Sequence, residues 1–317
     1  MPTFISICIP AYKRINSLRR LLDSIAIQTY QQFEVVVTDD SPDDSVENLC
    51  KKYRNIFELK YFKNDKQLGT PENWNEGVRK ARGEWIKIMH DDDWFLTDTA
   101  LASFVKAAED QPDKHFIFSA YTNIFPDQTR NNILLNKRKL MFLQPNVNLL
   151  SENVIGPPSV TLYKKSSELT FDSQLKWLVD MDFYIQYLGR HQYHYIDQPL
   201  IAIGINDEQV TKSSFQVASV EIPEHFHVLS KLGNQILRNP VVFDTFWRLF
   251  RNLGIQSEEA IRQAGYHGSI PRSVSWILVF QKRLPKSIIS NGIFSKSFMT
   301  LCWIFSLFLK KGFIEKS

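Results

Sequence analysis

The apolar positions of the N-terminal part of the chain take two alternating forms, short continuous runs and runs spaced at three and four residues. Phe4 to Ile9 is nearly all apolar, which predicts a strand buried on both faces and ended by Pro10. Leu18, Leu21, Leu22 and Ile25 then recur at helical spacing, with Asn16 and Ser17 as candidate caps. Phe33 to Val37 reads as a second strand, and Val46, Leu49 and Tyr53 mark a second helix. Leu59 to Phe62 gives a third strand, Asn73 to Ala81 a third helix with Pro71 near its start, and Trp85 to Met89 a fourth strand. This β-α-β-α alternation predicts an α/β domain with a mostly parallel sheet flanked by helices.

Ligands of such sheets bind beyond the carboxyl ends of the strands, and the polar signatures of this chain fall there. Strand one runs into Pro10-Ala11-Tyr12-Lys13-Arg14, strand two into Asp39-Asp40-Ser41, and strand four into Asp91-Asp92-Asp93. Three adjacent acids repel one another, and a desolvated carboxylate is costly without a positive partner, so a divalent cation accounts for the triplet. Hard oxygen ligands favour Mg2+ or Mn2+ over zinc. A solvated acidic loop is the plainer reading of the triplet, and an ordinary strand-to-helix turn that of Asp39-Asp40-Ser41-Pro42. Likewise Tyr12 fits a packing aromatic, Arg14 a solvated residue at a helix start, and Asn75 or Gly77 structural helix positions. No Gly-x-Gly-x-x-Gly or Gly-x-x-x-x-Gly-Lys-[Ser/Thr] occurs, which removes the usual dinucleotide and P-loop readings.

The 317 residues carry a net charge of +4 and are 44% hydrophobic, enough for a full-sized core. From Pro271 onward eight basic residues face the single acid Glu315, so this segment carries +7 and the rest −3. A mildly acidic body with a basic, aromatic-rich tail argues against a nucleic-acid binder and fits an anionic membrane surface. Cys8, Cys50 and Cys302 lack any paired metal-ligand spacing, which suits a reducing compartment. The N-terminus lacks the pattern of an export signal, so the expected location is cytoplasmic, peripheral on the cytoplasmic face of the membrane.

Taken together, the ordered motifs resemble those of family 2 glycosyltransferases of the GT-A fold, a Rossmann-like sheet flanked by helices. They are Pro10 to Arg14, Asp39-Asp40-Ser41, Gly69 through Asn75-Glu76-Gly77, Ala81-Arg82-Gly83-Glu84-Trp85 and the Asp triplet. The resemblance covers roughly residues 1–214, a nucleotide-sugar half to about residue 97 and an acceptor half beyond it, with 215–317 as a helical appendage. It implies inverting transfer of a sugar from a nucleotide diphosphate sugar, most often a UDP-sugar, to an acceptor hydroxyl. By the same resemblance Pro10, Ala11, Tyr12 and Arg14 border the nucleotide, Asp39 bonds the base, and Asp40 and Ser41 complete that loop. Gly69 and Asn75 join the donor site. Asp92 approaches the ribose or donor sugar, and Asp93, with Asp91 as the less certain member, ligates Mn2+ or Mg2+. His90, beside the acids, is expected as a strand-end residue in preference to a replacement ligand.

Downstream, Val179-Asp180-Met181-Asp182 opens an apolar-periodic helix and resembles the family's Glu-Asp motif, with Val179 replacing the Glu. The resemblance makes Asp180 the general base, Asp182 being the reserve. Capping of a helix start accounts equally for acids there. Gly156-Pro157-Pro158-Ser159 resembles the loop that shapes the acceptor pocket, and Asn206 stands where the family often has a His. Near the C-terminus, Ser297 to Leu309 is too short to span a bilayer and predicts an interfacial helix serving a glycan or polyprenyl-linked acceptor. A homodimer or core helix is the alternative there, and a longer tilted span from Ser287 a further one. The expected role is surface-polysaccharide or lipid-linked glycan assembly. Competing functions are a nucleotide-sugar pyrophosphorylase, which needs a glycine-rich basic loop after strand one, and a non-catalytic carbohydrate- or membrane-binding module, which needs neither base nor cation.

Overall fold

The structure, a computed structural model, describes residues 3–125, 130–205 and 216–308. Two compact units emerge, Met1–Asn146 with Asn153–Gln209, and Val147–Glu152 with Val210–Ser317. The first begins with β1 (Ile5–Ala11), α1 (Ile15–Ala26), β2 (Phe33–Asp39), α2 (Ser45–Lys51), β3 (Leu59–Lys63), α3 (Glu72–Lys80) and β4 (Trp85–Ile88). It continues through β5 (Trp94–Phe95), α4 (Ala100–Asp110), β6 (Lys114–Ile124), β7 (Arg130–Ile133), α5 (Lys137–Phe142), β8 (Thr161–Lys164), α6 (Val179–Leu188) and β9 (Gln192–Gly204).

Among the described residues these strands form one nine-stranded sheet, ordered β3-β2-β1-β4-β8-β6-β9-β5, with β7 beside β6. The pairings β3-β2, β2-β1 and β1-β4 are parallel, so the carboxyl ends of β2, β1 and β4 share one edge. Beyond β4 the sheet is mixed: β8 is antiparallel to β4 and β6, and β9 runs parallel to β6. The apolar run of β1 and the whole of β2 are buried, as central strands covered on both faces must be.

Two local expectations are corrected. β1 does not stop at Pro10 but continues to Ala11. Ala11 O accepts from Asp40 N on the β2 side, whereas Cys8 O accepts from Met89 N on the β4 side. By alternation the missing N–H of Pro10 faces the β4 side, where pairing has ended at Cys8–Ile88, so no ladder bond is lost. Asn16 and Ser17 are not caps, because α1 starts at Ile15 with Arg14 in the cap position.

The second unit is helical: α7 (Ala218–Leu232), α8 (Pro240–Leu253), α9 (Glu258–Gln263), α10 (Arg272–Lys282), α11 (Lys286–Ile289) and α12 (Gly292–Leu307). Its core gathers Phe226, Phe243, Phe246, Trp247 and Phe250, with Phe226 stacked on Tyr266 at 4.3 Å. Asn239 Oδ1 caps α8 by accepting from Val241 N, and left-handed Gly254 ends it. The long tilted span from Ser287 does not form, since α11 ends at Ile289 and Asn291 caps a separate α12. At 16 residues α12 is ~24 Å long, and no described helix is long and apolar enough to cross a membrane.

Candidate functional site

The three strand-end loops are fastened to one another. Ser41 Oγ accepts from Lys13 N at 2.8 Å, joining the loops after β2 and β1. Arg14 bridges the loops after β1 and β4, with Nη1 2.6 Å from Asp92 Oδ2 and Nη2 3.0 Å from Asp91 Oδ1. Lys13 adopts a left-handed conformation, φ 63°, which helps turn the chain from β1 into α1. Tyr12 is the exposed aromatic of this edge.

Asp39 and Asp40 face different ways. Asp39 Oδ1 accepts from Ser41 N at 2.8 Å, and Oδ2 accepts from Tyr61 Oη at 2.7 Å and Lys63 Nζ at 3.3 Å. Asp40 instead holds the segment after β3, accepting from Asn64 Nδ2, Leu68 N and Gly69 N at 2.7, 3.0 and 2.8 Å. Gly69, at φ +71°, turns the chain there. Asn75 lies on α3, where Oδ1 accepts from Phe171 N and Nδ2 donates to Phe171 O, at 2.9 and 2.8 Å.

Asp91, Asp92 and Asp93 are all buried, so their charges meet little water. Burial, with the charge of Asp92, pushes the Asp93 carboxyl well above the usual range. Asp91 is raised to about 7 by burial against the opposing pull of Arg14. Arg14 supplies one positive charge, to Asp91 and Asp92, against three adjacent acids. Ligand atoms of His90, Asp92 and Asp93 lie within 4.8 Å of one another, with His90 Nδ1 3.9 Å from Asp93 Oδ2. His90 Nε2 is buried without a hydrogen-bond partner. Its ring packs on Trp74 at 4.8 Å, and burial lowers its pKa to about 4, favouring the neutral imidazole a metal requires. The donor set of His90, Asp92 and Asp93 therefore fits a divalent cation, and the expected ligand Asp91 falls outside this group. Gly204, at the end of β9, donates its N–H to Asp93 Oδ1 at 3.2 Å, and a Cβ there would come 2.5 Å from Asp92 O.

Asp180 and Asp182 both sit in the first turn of α6. Asp182 is 1% exposed, and its Oδ2 accepts from Gln186 Nε2 at 2.8 Å. Asp180 is half-buried, its Oδ2 accepting from Asn153 Nδ2 at 2.7 Å, and burial raises it to about 6. The segment 153–159 connects this base candidate to the acid triplet. At its far end Ser159 Oγ accepts from His90 N at 3.0 Å and bonds Asp93, while Ser159 O accepts from Lys87 Nζ. Sequence reasoning missed Asn153 and Lys87. The signal for Lys87 was present, a lone cation inside the apolar run Trp85 to Met89. Asn206 lies outside the described residues.

The fold and this strand-end site define a glycosyltransferase-type α/β domain of the GT-A class. The chain belongs to glycosyl transferase family 2, whose sequence profile matches residues 6–169, more than half of its length. It is 30% identical over 120 residues to an uncharacterized glycosyltransferase of Haemophilus influenzae, covering 36% of this chain and 37% of that protein. It is 26% identical over 247 residues to the poly(ribitol-phosphate) beta-N-acetylglucosaminyltransferase TarS of Staphylococcus aureus, covering 72% of this chain and 39% of TarS. The chain thus spans less than two thirds of the length of either relative. Among solved structures, TarS residues 1–349 with UDP-GlcNAc superpose with a TM-score of 0.56 at 16% identity, covering 89% and 92% of the two chains. Mannosyltransferase PcManGT of Pyrobaculum calidifontis, with GDP-Man and Mn2+, gives 0.54 at 17%, covering 98% and 89%. At such identities the likeness shows the fold.

Proposed function

We propose that the chain transfers a sugar from a nucleoside diphosphate sugar, UDP-linked in the first instance, to an acceptor hydroxyl with inversion. The observation that carries this is the meeting of three loops around a buried acid triplet, with one seven-residue segment tying that triplet to a second, separate carboxylate. Asp92, Asp93 and His90 would hold the cation. An imidazole among carboxylates fits Mn2+ better than Mg2+, which prefers an all-oxygen shell. When bound, such a cation stabilises the charge that develops on the departing diphosphate.

The chain's own residues supply the rest. Arg14, held between Asp91 and Asp92, keeps a positive charge at the phosphate edge. Pro10, Ala11, Tyr12, Asp39, Asp40 and Ser41 frame the nucleotide, Asp40 doing so by ordering the segment up to Gly69. Asp180 takes the proton of the acceptor hydroxyl as the new bond forms. Its half-burial supports this role over Asp182, whose carboxylate is enclosed and held by Gln186. The acceptor we assign is a glycan, free or polyprenyl-linked, in surface-polysaccharide assembly. The polymer acceptor named for TarS, poly(ribitol-phosphate), supports a surface polymer, and the exposed apolar side chains of α12 support a membrane-held one.

The test is a panel of nucleotide sugars scored for Mn2+-dependent nucleotide release. Asp180→Asn should retain donor binding and lose transfer, and wild-type turnover should fall as pH drops below about 6, where the Asp180 carboxyl takes up a proton. Near-normal turnover of Asp180→Asn, with loss in Asp182→Asn, would move the base to Asp182.

A further inference from the structure

Asn153 makes more contacts than its place in a surface turn requires. Its Oδ1 accepts from Ile155 N and Gly156 N at 3.2 and 3.0 Å, an Asx turn that fixes the side chain to its own backbone. Its Nδ2 then donates twice, to Gly156 O at 3.0 Å and to Asp180 Oδ2 at 2.7 Å. Gly156 stands at φ +109°, and a Cβ there would meet the Tyr121 ring at 2.8 Å, so this turn is closely packed. Gly156 O also accepts from Tyr184 Oη at 3.2 Å, one turn along the helix from Asp180. The amide therefore cannot rotate without breaking the turn, and it aims one N–H at one carboxylate oxygen.

We infer that Asn153 is a positioning residue for Asp180, holding its carboxylate in one rotamer and keeping it ionised while the other oxygen meets the acceptor hydroxyl. This rests on the reading of Asp180 as the base. The hydrogen bond from Asn153 works against burial, which raises the pKa of Asp180, and the backbone N–H of Met181 acts in the same direction as Asn153. Among the described residues Tyr184 on α6 is the phenol that senses the charge of Asp180, and Tyr121 on β6 and Tyr163 on β8 lie around Tyr184 in turn. Burial holds the three phenols neutral, so none of them adds a negative charge near the Asp180 carboxylate. A hydrogen bond to the charged form stabilises that form, so removing the amide N–H should raise the pKa of Asp180.

Two variants separate this role from turn-making. Asn153→Asp keeps the Oδ acceptor of the Asx turn but replaces the donor with a second carboxylate; Asn153→Ala loses both functions. Aspartate-selective 13C labelling follows the Asp180 carboxyl, assigned by the resonance missing from Asp180→Asn, alongside nucleotide release from UDP-GlcNAc with Mn2+. The expected result is a titration midpoint near 6 in the wild type that rises by about one unit or more in both variants, most in Asn153→Asp. The acidic limb of the turnover profile should move with it, while UDP binding stays unchanged. An unmoved midpoint in Asn153→Asp would overturn the inference and leave Asn153 as a turn residue. A normal turnover in Asp180→Asn would instead reject the base reading.

Discussion

At the residue scale, the donor edge shows how neighbouring polar residues divide their work. Asp40 commits its carboxylate to the segment leading to Gly69, and Asp39 is already bonded to Tyr61, Lys63 and Ser41 N. Asn75 is the clearest case of a motif residue with a local task, since both ends of its amide pair with the backbone of Phe171. Removing it leaves a buried N–H and C=O unpaired, so Asn75→Ala should lower stability by about 1–3 kcal/mol in urea unfolding. UDP affinity should change less than threefold. A large loss of affinity at unchanged stability would place Asn75 in direct contact with the donor instead. Which polar residue of a motif touches ligand and which holds backbone was not legible in the sequence, because Asn73, Asn75 and Gly77 share one helix and the distinction lies in what packs opposite.

At the element scale, the segment Arg82-Gly83-Glu84-Trp85 fastens β4 to the sheet. Glu34, enclosed on β2, accepts from Ser6 Oγ and Arg82 N at 2.6 Å, Lys60 Nζ at 2.9 Å and Arg82 Nε at 3.0 Å. Burial alone would raise its pKa, but these donors outweigh it and bring the carboxyl to about 2. The folded pKa is depressed, so the stabilisation is present above the ordinary value of 4.5 and is lost as pH falls from there toward 2. Glu34→Gln should accordingly lie below the wild type in urea stability at pH 7 and converge with it as pH falls through that window. A constant gap across that window would exclude the ionised clamp. Gly83 leaves no room for a side chain, as a Cβ would lie 2.5 Å from Ser6 N, and Gly83→Ala should cost about 1–3 kcal/mol through overpacking.

The C-terminal helix carries a different kind of information. Ser295, Met299 and Cys302 face the core of their unit, while Phe294, Leu301, Ile304, Phe305 and Phe308 are exposed. No acid occurs from Pro271 to Phe308, so a second copy would oppose like-charged rims, whereas an anionic lipid surface would neutralise them. The wild type should therefore pellet with phosphatidylserine-containing vesicles more than with phosphatidylcholine alone. Leu301→Asp with Phe305→Asp should abolish the difference. Unchanged pelleting would reject a membrane role for this face, and conversion of a wild-type dimer to monomer by the same changes would assign it to self-association.

At the scale of the whole molecule, legibility follows how local the governing forces are. The four N-terminal strands and their helices were readable because buried parallel strands are continuous apolar runs and their helices are amphipathic. The convergence of Pro10 to Arg14, Asp39 to Ser41 and Asp91 to Asp93 followed from parallel alternation alone. The mixed half of the sheet was not readable. β6, β8 and β9 pair across 43 to 80 residues of sequence, and no local period encodes which strand lies beside which. For the same reason Asn153 was missed and His90 was read as a strand-end residue, since the partners that define them, Asp180 and Asp93 with Trp74, are assembled by tertiary packing.

The central claim is that the buried acid triplet holds a cation that in turn holds a diphosphate. Calorimetric titration of UDP into the full chain, with Mn2+ and with the metal chelated, addresses it most directly when repeated on Asp93→Ala. The account predicts Mn2+-dependent UDP binding in the wild type, and weak, metal-independent binding in Asp93→Ala at unchanged thermal stability. Tight UDP binding that ignores both Mn2+ and the loss of the Asp93 carboxylate would contradict it.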